Sequence, residues 1–168
     1  MLMYKLEQLS QDKITELNSI LEETNVGNQA YLDYLKSITK GLVDYHYKGK
    51  GDMKIDHFSP RNNQSLVKFL FENFSIRKED IISIHINDYN EGSYAEMHQD
   101  SNSSKTYLIL LEPATQGGEL MLEDDIIPFD KIGQVISYNG GEVMHGVSKI
   151  IKGHRRTLVV WVNERSVI

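Results

Sequence analysis

Apolar side chains recur at helical spacing through the first 80 residues. A first helix is predicted to begin after Ser10, a residue type that caps helix N-termini, and to end at Gly27. A second helix is predicted over about residues 28–40 and a third after Pro60, with a loop region between them. The apolar faces consist of Ile14, Leu17, Ile20 and Leu21, then Tyr31, Tyr34, Leu35 and Ile38, then Leu66, Phe69, Leu70 and Phe74.

After Asp80 the pattern changes to short apolar runs separated by turn residues. Residues 81–86 are rich in β-branched side chains and are predicted to form a buried strand. Further short strands are predicted at residues 94–98, 105–111, 119–122, 125–129, 134–138, 143–148 and 157–162. About eight strands after a helical half predict an α+β fold, in which a β-sandwich or barrel is supported by N-terminal helices.

The length of 168 residues predicts a single domain, with residues 1–80 as mainly helical support and residues 81–168 as the β core. The hydrophobic fraction of 40% and the charged fraction of 25% are ordinary for a soluble globular protein. A net charge of −6 disfavours an extended nucleic-acid surface. A local basic patch stays open, because five residues cluster in sequence: Lys149, Lys152, His154, Arg155 and Arg156.

The chain has no cysteine, which excludes disulfides, thiolate metal sites and cysteine nucleophiles. This composition fits a reducing compartment, so we expect a cytoplasmic location. No charged-then-apolar leader opens the chain, and no apolar run approaches the roughly 18 residues that span a bilayer. We therefore expect no membrane association, and the sequence makes no prediction of oligomeric state.

The most distinctive polar stretch is His98-Gln99-Asp100. Side chains alternate along a strand, so His98 and Asp100 point to the same side, roughly 6–7 Å apart along the backbone. Two such groups can bind one ion, and His145 is the candidate for a third ligand. Two imidazoles and one carboxylate on one face of a metal leave the opposite positions open, an arrangement that suits non-haem Fe(II).

Each of these residues also has an ordinary structural interpretation. His98 alone could be a hydrogen-bonded core histidine, Asp100 could cap the turn that follows it, and His145 could be a turn residue after the Gly140-Gly141 pair. The joint occurrence of the three, together with a distal arginine, favours the metal site. The other four histidines are not part of a comparable pattern and are not assigned to metal: His46, His57, His85 and His154.

Arg155 opens a predicted strand that is otherwise apolar over residues 158–161. A guanidinium placed there needs a buried anion to offset its desolvation. The anion could be a ligand carboxylate, which a guanidinium binds in bidentate form, or an acidic side chain of a neighbouring strand. Thr157 lies two residues on and faces the same side.

Taken together, these residues resemble the Fe(II)/2-oxoglutarate-dependent dioxygenases, and most closely the prolyl 4-hydroxylase-like group. The resemblance covers about residues 81–162. It rests on Tyr89-x-x-Gly92, His98-x-Asp100, Gly117-Gly118-Glu119-Leu120, His145-Gly146-Val147, Arg155-x-Thr157 and Trp161. The family fold implied is a double-stranded β-helix, or jelly roll.

By this resemblance, His98, Asp100 and His145 hold the iron, and Arg155 binds the far carboxylate of 2-oxoglutarate. No catalytic residue beyond the metal ligands is implied. The cofactor is Fe(II), the co-substrates are 2-oxoglutarate and dioxygen, and ascorbate is an optional addition.

Further co-substrate contacts are assigned less directly. Thr157 matches the hydroxyl residue after the arginine, and Tyr89 matches the tyrosine of the Tyr-x-x-Gly turn. Either Tyr107 or Ile109 could occupy a co-substrate position on the strand after His-x-Asp, and Tyr107 could donate its hydroxyl. Asn87 could hydrogen-bond the co-substrate or be a plain polar strand residue.

The activity implied is hydroxylation of an unactivated C–H bond in a peptide, protein or free amino acid, with proline the leading candidate. 2-Oxoglutarate would be decarboxylated to succinate and CO2. A nucleobase demethylase of the same superfamily is an alternative, but such enzymes usually carry a second arginine at the position that is Trp161 here. The third alternative is a non-catalytic β-helix binding module. Residues 45–59 and 101–104 are the candidate loops for substrate binding.

Overall fold

The computed structural model describes residues 3–38, 49–100 and 103–164. Three α-helices lie within these ranges: α1 (Gln11–Glu22), α2 (Gln29–Ile38) and α3 (Gln64–Phe74). Short 3-10 turns at Pro60–Asn62 and Lys78–Asp80 flank α3. No helix in the described part of the chain is long and apolar enough to cross a membrane.

The three predicted helices are confirmed. The Ser10 side chain accepts a hydrogen bond from the Lys13 backbone amide at 3.3 Å, so the predicted cap of α1 is present. This helix ends at Glu22, before Gly27. The last two residues of the predicted second helix, 39 and 40, lie outside the described residues.

The described residues also contain thirteen β-strands. In chain order they are β1 (Tyr4–Gln8), β2 (Gly49–Lys50), β3 (Met53–Phe58), β4 (Ile81–Tyr89), β5 (Tyr94–His98), β6 (Lys105–Glu112), β7 (Gln116–Gly117), β8 (Leu120–Leu122), β9 (Asp125–Ile126), β10 (Gln134–Tyr138), β11 (His145–Val147), β12 (Ile150–Lys152) and β13 (Arg155–Val162).

The strands form two larger antiparallel sheets and a small ribbon. The six-stranded sheet has the order β1-β10-β6-β13-β4-β3, the five-stranded sheet has the order β2-β5-β11-β8-β9, and β12 pairs with β7. Side chains of both larger sheets meet in one apolar core. This arrangement is a double-stranded β-helix, or jelly roll, supported by helices, so the predicted fold class is confirmed.

Several strands lie where the sequence predicted none. β1 pairs with β10 and β3 pairs with β4, which places them at opposite edges of the six-stranded sheet, while β2 pairs with β5. Residues 49–58, predicted as loop, are therefore largely strand, and residues 45–48 of that predicted loop lie outside the described residues. The partners of these strands are distant in sequence, so local patterning does not reveal the pairing.

The six-stranded sheet is apolar on both faces. On β13, Leu158 and Val160 pack in a core that includes Leu17 of α1, whereas Val159 and Trp161 pack in the core between the two sheets. Burying each of these large side chains contributes about 1.5–3 kcal/mol. The helices thus cover the outer face of the sheet, and its inner face is left to form a cavity with the second sheet.

Candidate functional site

Three metal-ligating side chains meet at one end of the cavity between the sheets. His98 ends β5 and His145 begins β11, and the two are direct partners in the antiparallel pairing, with ring centroids 4.3 Å apart. Asp100 follows β5, where its backbone amide donates to the Gly140 carbonyl at 2.7 Å. The three side chains offer one ligand atom each within 4.8 Å of one another. The structure therefore brings together the residues that the sequence selected for metal binding.

Both imidazoles are oriented by backbone carbonyls. Nδ1 of His98 donates to the Glu96 carbonyl at 2.6 Å, and Nδ1 of His145 donates to the Val143 carbonyl at 2.8 Å. The Nε2 atoms consequently face Asp100, at 3.3 Å from Oδ1 for His98 and 3.0 Å from Oδ2 for His145. Histidine ligands of metals typically donate their second ring nitrogen in this way, which fixes the tautomer and directs Nε2 to the ion.

The electrostatics of this cluster favour the binding of a cation. Burial alone would raise the pKa of Asp100, but the nearby His145 and His98 hold that pKa well below its usual range. Burial alone would lower the pKa of His145, but the Asp100 carboxylate raises it. The Asp100 carboxylate therefore favours a positive charge beside it, from a proton on His145 or from a metal ion. Two nitrogens and one carboxylate oxygen, all buried, fit a divalent transition metal in place of that proton.

Two residues that the sequence analysis did not select hold Asp100 in place. The Thr106 hydroxyl donates to Asp100 Oδ2 at 3.1 Å, and both side chains are buried. Gly140 allows this approach because it has no side chain. A Cβ at that position would clash with the Thr106 hydroxyl and would lie 2.8 Å from Asp100 Oδ2. The sequence showed Gly140 only as part of a turn, since its proximity to Asp100 depends on the pairing of distant strands.

Arg155 lines the same cavity as the three ligands. The residue is 2% exposed, and its guanidinium carbon lies 5.4 Å from the centre of the Tyr89 ring, its partner residue on β4. The predicted Gly117-Gly118 turn packs beside it, where a Cβ at Gly118 would lie 3.3 Å from Arg155 Cδ. Gly118 therefore leaves room for the arginine side chain.

Acidic side chains of the neighbouring strands bind other partners. Asp88 of β4 forms ion pairs with Arg156 at 3.2 Å and with His154 at 3.1 Å, and Glu112 of β6 contacts His154 at 2.9 Å. These contacts lie on the face of β13 opposite to Arg155. They involve two members of the basic cluster seen in the sequence, His154 and Arg156.

The overall fold matches solved prolyl hydroxylases. No protein-family model matches the sequence, and no curated protein matches it. A collagen prolyl hydroxylase of Paramecium Bursaria Chlorella virus-1, solved as a 2-oxoglutarate complex, is similar over 96% of each chain, with 15% identity and a TM-score of 0.64. A prolyl-4-hydroxylase of Pseudomonas putida is similar over 98% of this chain and 94% of its own, with 15% identity and a TM-score of 0.58.

A third similar structure is a prolyl hydroxylase from Trichoplax adhaerens in complex with a peptide fragment of the hypoxia inducible factor oxygen degradation domain. The similarity covers 95% of this chain and 83% of that chain, with 17% identity and a TM-score of 0.61. The chain has the prolyl hydroxylase fold. At these identities the similarity concerns the fold, and the residues of the site are judged on their own geometry.

Within this prolyl hydroxylase fold, Asn87 and Thr157 lie where the sequence predicted. They are cross-strand partners on β4 and β13, both are buried, and both line the cavity together with Tyr89. Their roles toward a co-substrate stay predictions. Of the candidate substrate loop at 101–104, residues 101 and 102 lie outside the described residues.

The placement of Tyr107 is corrected by the structure. Tyr107 and Ile109 both belong to the core on the helical side of the sheet, and the Tyr107 ring packs 6.0 Å from that of Phe74. The residues of β6 that line the cavity are Thr106 and Leu108. Successive side chains of β6 point to opposite faces of the sheet. Because Thr106 faces Asp100 in the cavity, its neighbour Tyr107 points to the helical side.

Sequence reasoning also missed Tyr138. This residue ends β10, is 3% exposed, lines the cavity, and packs its ring 5.0 Å from that of His145. Burial raises the pKa of its hydroxyl well above the usual value, with Asp100 and Tyr89 acting in the same direction and Arg155 opposing them. The phenol is therefore neutral. The only sequence signal was an aromatic residue directly before a predicted Asn-Gly-Gly turn.

Proposed function

We propose that this protein is an Fe(II)- and 2-oxoglutarate-dependent dioxygenase that hydroxylates an unactivated C–H bond. The observation that carries the proposal is one cavity in which the buried His98, Asp100 and His145 side chains converge and which Arg155 also lines. A metal triad alone would fit several kinds of site. The added guanidinium selects a metal site that also binds an anion.

His98, Asp100 and His145 would hold the iron, which supplies dioxygen activation coupled to the decarboxylation of 2-oxoglutarate to succinate and CO2. The two histidines offer Nε2 because their Nδ1–H groups are already bonded to backbone carbonyls. Asp100 offers a carboxylate oxygen whose orientation Thr106 maintains. Three protein ligands of this kind would leave coordination positions for a co-substrate and dioxygen.

Arg155 would bind the distal carboxylate of 2-oxoglutarate. A guanidinium stays charged when buried and matches a carboxylate with two parallel N–H donors. Burial of Arg155 removes competing water, which strengthens this interaction. Thr157, Asn87 and Tyr89 add polar groups to the same cavity.

For the substrate we propose a peptide, a protein or a free amino acid, with proline as the leading target. The similar Trichoplax structure is in complex with a peptide fragment, which supports a peptide or protein as the substrate here. The net charge of −6 supports a partner other than nucleic acid. We also retain the proposal of a cytoplasmic location, which follows from the absence of cysteine.

A succinate-release screen tests this function. The protein is incubated with Fe(II), 2-oxoglutarate and separate pools of proline-containing peptides, free amino acids and methylated oligonucleotides, and products are identified by the mass of one added oxygen atom. His145→Ala serves as the control, because two ligands cannot close the triad. Metal-dependent succinate release with a peptide or amino acid is expected. The proposal is wrong if wild-type protein neither turns over 2-oxoglutarate nor binds it in the presence of a divalent metal.

A further inference from the structure

We propose that the Tyr138 hydroxyl donates a hydrogen bond to a carboxylate oxygen of the bound 2-oxo acid. The residue ends β10, whose neighbour in the sheet is β6, and Tyr138 is the direct partner of Thr106. Its ring packs against His145, and its side chain lines the cavity that also contains Arg155. The inference rests on the proposed function, because it names a residue that would contact the co-substrate.

Tyr138 shares one cavity with both parts of the site. Its ring packs 5.0 Å from that of His145, and Arg155 lines the same cavity. A 2-oxo dicarboxylate held between the metal ligands and Arg155 would therefore occupy the cavity that this buried side chain lines.

The chemistry of the hydroxyl suits a donor role. A phenol is neutral near pH 7. A neutral phenol can donate to an oxyanion, and hydrogen bonds to charged groups are the stronger kind. Because it keeps its proton, Tyr138 does not compete with Asp100 as an anionic metal ligand.

The strand between Arg155 and Tyr138 makes this assignment more specific. β6 lies between β13 and β10 in the sheet. Besides Thr106, the β6 side chains that face the core between the two sheets are Leu108 and Leu110. Neither leucine can donate a hydrogen bond. A polar contact from this side of the cavity must therefore come from the next strand, and Tyr138 is the cavity-lining residue of β10.

The test compares Tyr138→Phe with Tyr107→Phe. Tyr107 is a matched control because it lies on the adjacent strand, opposite Ser137, but on the helical face of the sheet. Each protein is loaded with Mn(II), and the dissociation constants for Mn(II) and then for 2-oxoglutarate are measured by calorimetry. Loss of one hydrogen bond to a carboxylate should weaken 2-oxoglutarate binding about 10- to 100-fold in Tyr138→Phe. Tyr107→Phe should bind like wild type.

The Mn(II) affinity and the thermal unfolding midpoint distinguish a lost contact from a damaged fold, and both should stay near the wild-type values in Tyr138→Phe. The inference is overturned if wild type and Tyr138→Phe bind 2-oxoglutarate equally well while Arg155→Lys binds it weakly. That result would leave the proposed function standing. Wild-type protein that binds Mn(II) but not 2-oxoglutarate would overturn both.

Discussion

The hydrogen bond from Thr106 to Asp100 can be removed with little change in shape. Its donor and acceptor oxygens are 3.1 Å apart, and the two residues are 1% and 2% exposed. Thr106→Val replaces the hydroxyl with a methyl group of similar size. The carboxylate then loses one of the contacts that direct it toward His98 and His145.

Two measurable losses are expected from Thr106→Val. A buried hydrogen bond to a charged group is worth about 1.5–3 kcal/mol, so the free energy of unfolding of the metal-free protein should fall by roughly that amount. Outer partners of metal ligands typically contribute about 10- to 100-fold in metal affinity, so the Mn(II) dissociation constant should rise within that range. The second loss arises because Asp100 is no longer held in the orientation that closes the triad.

Urea unfolding measures the first quantity and calorimetric Mn(II) titration the second. Thr106→Ser is the matched control, since it keeps the hydroxyl and removes only a methyl group. It should retain metal affinity close to wild type. Equal Mn(II) affinity in the valine variant and the wild type would refute the proposed role of Thr106 in orienting the carboxylate.

Three further predictions concern the same cavity. Arg155→Lys should weaken 2-oxoglutarate binding at least 10-fold without changing Mn(II) affinity, because the bidentate guanidinium contact is lost. Arg156→Lys, on the opposite face of β13, should bind 2-oxoglutarate like wild type. Calorimetry measures both affinities. Gly140→Ala should lower Mn(II) affinity, because the new Cβ displaces Asp100; an unchanged dissociation constant would contradict this contact. Mn(II) affinity should fall as pH drops through the raised pKa of His145, because the proton and the metal compete for Nε2. Titrations in buffers of different ionisation enthalpy should then show proton release on Mn(II) binding below that pKa, and an Mn(II) affinity that does not change with pH would contradict this competition.

Much of the site could be predicted because it depends on local order. The alternation of side chains along an extended chain puts His98 and Asp100 on one side, and it puts Arg155 and Thr157 on one face of β13. The apolar spacing likewise predicted all three described helices. These features need only the sequence period and a residue's chemistry.

It was harder to predict which side chains of an alternating strand point into the cavity. On β6 the run from Thr106 to Leu111 is apolar on both faces, since one face packs on helices and the other on a second sheet. Such a strand has no polar face that identifies its outer side, so the sequence favoured Tyr107 or Ile109 for the interior, whereas the structure places Thr106 and Leu108 there. The hydrogen bond of Thr106 to Asp100 decides the phase, and that contact is tertiary.

By itself, the sequence determined the helices, most strands of the β core and the choice of the three candidate metal ligands with their arginine, because local spacing and chemistry suffice for these. Only the tertiary structure decided that Tyr138 and Gly140 belong to the site and that β1 and β3 complete the six-stranded sheet. The physical reason is that strand pairing joins segments far apart in the chain. Which side chains then meet across the cavity is set by register and sheet order, and no local pattern records either.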